Sequence, residues 1–156
     1  YTGDTSSAAS DVYKRQGLTY SRPTEPRGET SDCFKDLESL EFQDAFLKYV
    51  KPAFSKIGLM ADTWEKQYKI GSQLELPIYI SNDSDNLWKG DITVAIYNNK
   101  EEKISDSKVA SVVEPYSVKT ENTSAKLPEI AGTYELKVSL NYNGETVTSY
   151  RNLKVE

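Results

Sequence analysis

From Ile57 onward the chain alternates apolar and polar residues with a period of two, the period of a strand with one face buried. Over residues 73–81, Leu74, Leu76, Ile78 and Ile80 face one way, and Gln73, Glu75, Pro77, Tyr79 and Ser81 face the other. Pro77 has no backbone donor, which predicts an edge position for that strand. Residues 90–98 place Ile92, Val94 and Ile96 on one face, and residues 108–113 and 117–122 read as shorter strands. Over residues 133–142 the aligned side chains are Tyr134, Leu136, Val138, Leu140 and Tyr142. Asn143-Gly144 follows at once and predicts a two-residue hairpin turn, because a type I′ turn needs positive φ twice. The hairpin pairs Leu140 with Val147 and Val138 with Ser149. It sets Arg151 opposite Leu136 on the core face, and a bulge near Tyr150 to Asn152 is expected to return Leu153 and Val155 to the core. Seven strands at regular spacing, with negligible helix after Phe54, predict a mainly β fold, an immunoglobulin-like antiparallel β-sandwich.

The pattern differs upstream. Within residues 37–54, Phe42, Ala45, Phe46, Tyr49 and Val50 fall at helical spacing, with Ser39 as N-cap, Glu41 in the first turn and Pro52 as terminator. An aromatic face that large needs a surface to dock on. Residues 17–32, punctuated by Pro23, Pro26 and Gly28, carry no apolar period and read as irregular or extended. The run SSAASDVYKRQ at residues 6–16 is similar to the in-frame translation of a transposase-type sequencing adapter. Residues 1–16 are therefore expected to be an adapter-derived segment from a gene assembled out of fragmented reads, and are set aside from fold reasoning. The expected organisation is 1–16 adapter, 17–36 irregular segment, 37–56 helix and connector, and 57–156 β-sandwich.

Composition narrows the chemistry. The 156 residues carry 19 basic and 24 acidic side chains, interspersed, for a net charge of −5. No basic stripe marks a nucleic-acid face, and no run approaches the ~18 apolar residues of a membrane span. With no histidine, Ser-His-Asp and Cys-His catalysis and histidine metal sites are excluded. The single cysteine, Cys33, reads as a small buried hydrophobe rather than a nucleophile. No catalytic residue, metal site or cofactor is expected. The acidic run at residues 82–86, NDSDN, offers hard oxygen ligands but lacks the glycine and terminal glutamate of a calcium loop, and reads as an ordinary strand connection. Trp64 and Trp88 are the two candidate binding residues: as exposed rings they stack on sugars, as strand aromatics they pack. Trp88, just ahead of a strand, is placed to close one end of the sandwich.

Three segments also carry a family resemblance: YSRPTEPRGETSD at residues 20–32, VKPAFSKIGLMADTWEKQY at 50–68, and LPIYISNDSDNLWKGDITVAIYN at 76–98. Its core is Ala53, Phe54, Ile57, Gly58, Leu59, Met60, Trp64 and Tyr68, followed by Pro77, Ile78, Tyr79, Ile80, Asn82, Asp83, Trp88 and Gly90. Together they resemble the region after the catalytic barrel in family 2 glycoside hydrolases, the β-galactosidase-like group, especially those of gut Bacteroidetes. The resemblance fades toward the C-terminus. It implies that residues 17–36 leave a missing catalytic domain and that the sandwich braces a barrel of the same chain. It also implies a parent enzyme at the cell surface or in the periplasm. The family's acid/base and nucleophile glutamates lie on that barrel, and no residue here matches their motifs. The rival expectation is an immunoglobulin-like carbohydrate-binding or adhesion module, with Trp64 and Trp88 as its stacking residues.

Overall fold

The computed structural model describes residues 34–36, 39 and 41–156. The adapter-like segment, the Pro-rich stretch of residues 17–32 and Cys33 lie outside these residues. The chain divides into two compact units at the Val50–Lys51 bond.

In the first unit a short antiparallel pair joins β1 (Phe34–Asp36) to β2 (Glu41–Phe42), with Phe34 opposite Phe42. Lys35 and Glu41 form an exposed ion pair at 3.0 Å, and the hydrogen bond from Lys35 to Glu41 holds the ammonium pKa above its ordinary value. Helical turns begin only at Asp44 and pass into a π-type turn, Phe46–Val50. The expected cap at Ser39 is not formed: its hydroxyl donates to the Asp36 carboxylate at 2.8 Å, and Glu41 and Phe42 are extended. The Phe42 and Phe46 rings stack across this junction, 4.7 Å apart and 11° from parallel. That contact joins a strand to a helical turn, although the same spacing also fits one continuous helix. None of Phe46–Val50 is buried, and Phe42, Leu47 and Tyr49 stay exposed.

The second unit starts with a 3-10 turn, Lys51–Phe54, in which Pro52 is accommodated rather than acting as a terminator. Seven antiparallel strands follow: β3 (Ile57–Ala61), β4 (Gln73–Asn82), β5 (Trp88–Tyr97), β6 (Lys103–Val113), β7 (Ser117–Lys126), β8 (Gly132–Tyr142) and β9 (Glu145–Val155). They form a three-stranded sheet, β3-β4-β7, and a four-stranded sheet, β6-β5-β8-β9. This is the antiparallel sandwich that the alternation predicts. Between the sheets lie Ile57, Leu76, Ile78 and Ile80 from one side and Ile92, Val94, Ile96, Leu136, Val138 and Leu140 from the other. Tyr134, near the start of β8, donates its hydroxyl to Ile130 O at 2.9 Å. This is the tyrosine corner of immunoglobulin-like sandwiches, which ties a strand to the connection before it.

The β8–β9 hairpin has the predicted register: Leu140 pairs with Val147, Val138 with Ser149 and Leu136 with Arg151. Asn143 and Gly144 both take positive φ, 51° and 82°. The expected bulge is absent; pairing runs unbroken to Tyr134–Leu153 and Gly132–Val155. Residues 149, 151, 153 and 155 are two apart, so they already share a face and no bulge is needed.

Pro77 is the second correction. β4 is the middle strand of its sheet, not an edge. Pro77 O accepts the Asp62 N–H at 2.9 Å, one residue beyond the last β3–β4 pair, Ala61–Ile78. In an antiparallel ladder a residue's N and O point to the same side. The missing proline donor therefore faces Asp62, one residue past β3, so the ladder forgoes one bond at its end and none within β3.

Candidate functional site

The structure separates the two candidate tryptophans. Trp88, the first residue of β5, lies on the same face as Ile92 and Val94 and is 5% exposed. Its indole N–H donates to Asn141 O at 3.3 Å, linking the start of β5 to the end of β8. The ring lies over Gly90, where a Cβ would stand only 2.9 Å from Trp88 Cζ2. Glycine at 90 thus makes room for the indole. Trp64, on the connection between β3 and β4, is 71% exposed. Its N–H donates to Asp62 Oδ1 at 2.5 Å, and the Arg151 guanidinium lies 4.5 Å from its ring centroid. The same connection is pinned by a hydrogen bond between the Thr63 and Tyr68 hydroxyls and by Tyr68 N–H to Lys154 O at 2.8 Å.

Arg151 is the one charged residue among positions 147, 149, 151, 153 and 155 on the inner face of β9, where buried Ser149 is also polar and accepts the Ala61 N–H at 3.1 Å. One guanidinium nitrogen, Nη1, donates to Tyr150 O at 2.9 Å, while the buried Nε has no partner among the described residues. The side chain runs from the core face to the rim, where its charged head stacks on the exposed indole.

The NDSDN run is a structural knot. Asn82 is fully buried. Its Nδ2 donates to Asn86 O at 2.8 Å and to Val113 O at 3.1 Å, and its Oδ1 accepts from Ser84 N at 3.0 Å and Ser84 Oγ at 2.7 Å. The amide thus plays the part of a turn's own backbone, closing residues 83–87 and tying them to the end of β6. Among the described residues, no three His, Cys, Asp or Glu side chains gather as metal ligands.

This closed loop forms one wall of a cleft of about 420 Å³ at the end of the sandwich. Ser84, Asn86 and Leu87 stand on that wall, and Asn141, Tyr142 and Asn143 come from the β8–β9 hairpin opposite; Trp88 and Lys89 lie between them. The sequence reading missed this grouping. Asn143 was legible only as a turn residue and Asn86 only as loop, and the two loops meet only once the sheets are stacked.

A second, smaller hollow of about 210 Å³ lies on the flank where β6 and β7 are the edge strands, beside Ser111 and Lys119. Ser111 Oγ donates to Glu121 Oε1 at 2.7 Å, and Lys119 Nζ lies 2.7 Å from the same oxygen. The hydrogen bond from Lys119, then that from Ser111, holds the Glu121 carboxyl below its ordinary pKa. The arrangement clasps two sheet edges together.

No protein-family model and no curated protein matches the chain. Solved structures do share its fold. A Listeria innocua β-glucosidase, solved with isofagomine, aligns at TM-score 0.50 and 17% identity over 65% of this chain and 16% of its own. A Paenibacillus cycloisomaltooligosaccharide glucanotransferase, solved with cycloisomaltoheptaose, aligns at TM-score 0.52 and 12% identity over 65% of this chain and 14% of its own. A β-glucuronidase of glycoside hydrolase family 2 aligns at 0.46 and 10% identity over 64% and 11%, a likeness too slight to carry an argument. The chain therefore spans about a sixth or less of the length of these proteins, and what they share with it is the sandwich fold. Among the described residues, no helix is long and apolar enough to cross a membrane.

Proposed function

We propose that residues 17–156 are a non-catalytic β-sandwich portion of a larger carbohydrate-hydrolysing enzyme of β-galactosidase-like type, and that they brace its catalytic barrel. The observation that carries this reading is the length relation. The same sandwich forms about a sixth of a β-glucosidase and about a seventh of a glucanotransferase, each far larger than this chain. The family 2 resemblance at residues 20–98 points the same way. So do the exposed Phe42, Leu47 and Tyr49, an apolar set suited to a neighbouring domain. On this reading the parent enzyme works in the periplasm or outside the cell.

Two measurements test the proposal. Long-read sequencing of the source DNA across codons 16 and 17 is expected to show a frame running upstream into a barrel with paired glutamates. A start codon near Gly17 refutes it. The purified chain is expected to leave aryl β-glycosides unhydrolysed, and turnover above buffer refutes the non-catalytic role. The second reading, a carbohydrate-binding or adhesion module, is favoured by the exposure of Trp64. It requires polysaccharide binding that is lost in Trp64→Ala.

A further inference from the structure

We propose that Asn143 is a self-modifying site, at which the Gly144 backbone nitrogen attacks the Asn143 side-chain amide and converts the residue, through a cyclic imide, to aspartyl and isoaspartyl forms. The chemistry uses only this chain and water, and it stands independently of the bracing function. Three observations single out this asparagine. The first is its neighbour: Asn143 is the only asparagine in the chain that is followed by glycine. Gly144 has no Cβ to shield its nitrogen, and nothing lies within 4 Å of where a Cβ would stand. The second is an uncommitted amide. Asn143 is exposed, and its side chain has no hydrogen-bond partner among the described residues. Asn82 is buried with four such bonds, and Asn98 donates to Glu102 at 2.7 Å while accepting from two backbone N–H groups. Asn86 donates to Asp85 and Asn141 accepts from Thr146. The third is a free nucleophile. The ladder ends at the Tyr142–Glu145 pair, and the Gly144 N–H makes no backbone hydrogen bond among the described residues. Ring closure takes Asn143 out of its left-handed conformation, and fraying of this hairpin end is enough to allow it.

The step balances with water as its one co-reactant. Hydroxide takes the Gly144 N–H proton, the nitrogen bonds to Asn143 Cγ, and the Cγ–Nδ2 bond breaks. Nδ2 gains a proton and leaves as ammonia, and a five-membered imide remains. Attacker and target belong to adjacent residues, so the closure is unimolecular. Water then opens the imide without any redox change. Opening at Cγ leaves an aspartyl residue on the original main chain. Opening at the main-chain carbonyl carbon routes the chain through Cγ, an isoaspartyl link one carbon longer. The two products differ in what they do to the fold. Asp-Gly suits a type I′ turn as Asn-Gly does, so the aspartyl form keeps the hairpin. The isoaspartyl form no longer has a two-residue turn, and the turn is what sets Leu140 against Val147 and Val138 against Ser149. Both products place a carboxylate in the cleft beside the hairpin, where Lys89 is the only charged lining residue of the unmodified chain. The conversion therefore turns a neutral wall of that cleft into an anionic one.

The test ages the full 156-residue chain at mildly acidic and mildly alkaline pH, beside the same chain unfolded in guanidinium chloride. Trypsin releases residues 138–151, the peptide between Lys137 and Arg151, and tandem mass spectrometry assigns the gain of about one mass unit to Asn141 or Asn143. In the folded chain Asn143 should convert about tenfold faster than Asn98 or Asn141, because only its neighbour lacks a Cβ. The rate should rise with pH, as the amide nitrogen gives up its proton more readily. Asn143→Gly keeps a residue suited to positive φ, and its 138–151 peptide should hold its mass. Anion exchange separates the two products; the isoaspartyl form should melt below the parent, and Asn143→Asp should melt with the parent. The proposal is overturned if Asn143 of the folded chain is still intact when the unfolded chain has converted, if Asn98 or Asn141 converts first, or if the isoaspartyl form melts with the parent. The peptide map of the parent decides the question even if a variant fails to fold.

Discussion

Asn82 is where the structure makes its sharpest demand. Its amide is fully buried and makes four hydrogen bonds, two as donor and two as acceptor. In Asn82→Ala, Asn86 O keeps the Ser84 hydroxyl at 3.0 Å. Val113 O and the buried Ser84 N–H lose their side-chain partner. At about 0.5–1.5 kcal/mol per hydrogen bond, and 1–3 kcal/mol for a buried donor left unmet, the expected loss is about 2–5 kcal/mol. For a domain of about 100 residues that lowers Tm by on the order of 10 °C or more.

Asn82→Asp sharpens the test, because it keeps the shape and changes one group. Where Nδ2 donates to two carbonyl oxygens at 2.8 and 3.1 Å, the variant places a carboxylate oxygen. Burial and the facing carbonyls disfavour the charged form, so the folded-state pKa lies above the unfolded value of about 3.9. The folded protein then holds a proton that the unfolded chain has released. Relative to the parent, the variant is least impaired below the unfolded pKa and loses stability as pH rises through the folded one. Urea unfolding at several pH values, followed by fluorescence of buried Trp88, reads both effects, since Trp64 is already exposed and reports less. The reasoning fails if Asn82→Ala unfolds within 1 kcal/mol of the parent at unchanged m. It fails equally if the deficit of Asn82→Asp grows on acidification.

Three further perturbations address other contacts. Gly90→Ala puts a Cβ 2.9 Å from Trp88 Cζ2, and overpacking of that kind costs about 1–3 kcal/mol; an unchanged melt and an unshifted emission maximum would refute the packing. Glu121 has a lowered folded-state pKa, so it adds stability above its unfolded value of about 4.3 that is lost as pH falls through the folded value. Its side chain is 20% exposed and that of Lys119 is 44% exposed, which holds the contribution below about 1 kcal/mol, and Glu121→Gln should flatten the acid limb of the stability profile by that amount or less. Arg151→Leu removes an unpartnered buried Nε from the core face at the expense of the stack on Trp64, so stability should change by less than about 1 kcal/mol in either direction; a loss of several kcal/mol in chemical denaturation would show that the guanidinium has a structural partner in solution.

The parts of this fold legible in the sequence are those set by local periodicity. Leu74 to Ile80 and Tyr134 to Leu140 alternate because each strand has one buried face, and Asn143-Gly144 fixes the hairpin register because two positive φ values suit few other residue pairs. β6 and β7 came out short because their inward positions near the open flank are Ser105 and Ser107 on one strand and Glu121 and Thr123 on the other. Where two edge strands face each other across a polar clasp, alternation no longer marks the inner face. Strand order is non-local, and that is why Pro77 looked like an edge signal: nothing in residues 73–81 says that β3 stops one residue before it needs the missing donor.

The same distinction decides what could be read of function. Trp88 shares parity with Ile92 and Val94 and therefore belongs to the core, whereas Trp64 sits on a connection where no period applies. One residue type thus has two fates, and only the strand pattern separates them. The cleft beside Trp88 is less legible still. Its polar groups come from two loops 54 or more residues apart in sequence, each with a sufficient local reason of its own: Asn82 and Asn86 close a turn, and Asn143 accepts positive φ. A residue that already serves a turn carries no sign in the sequence of what it will lie beside. The grouping becomes visible only when stacking the sheets sets Tyr142, Asn143 and Lys89 around one hollow.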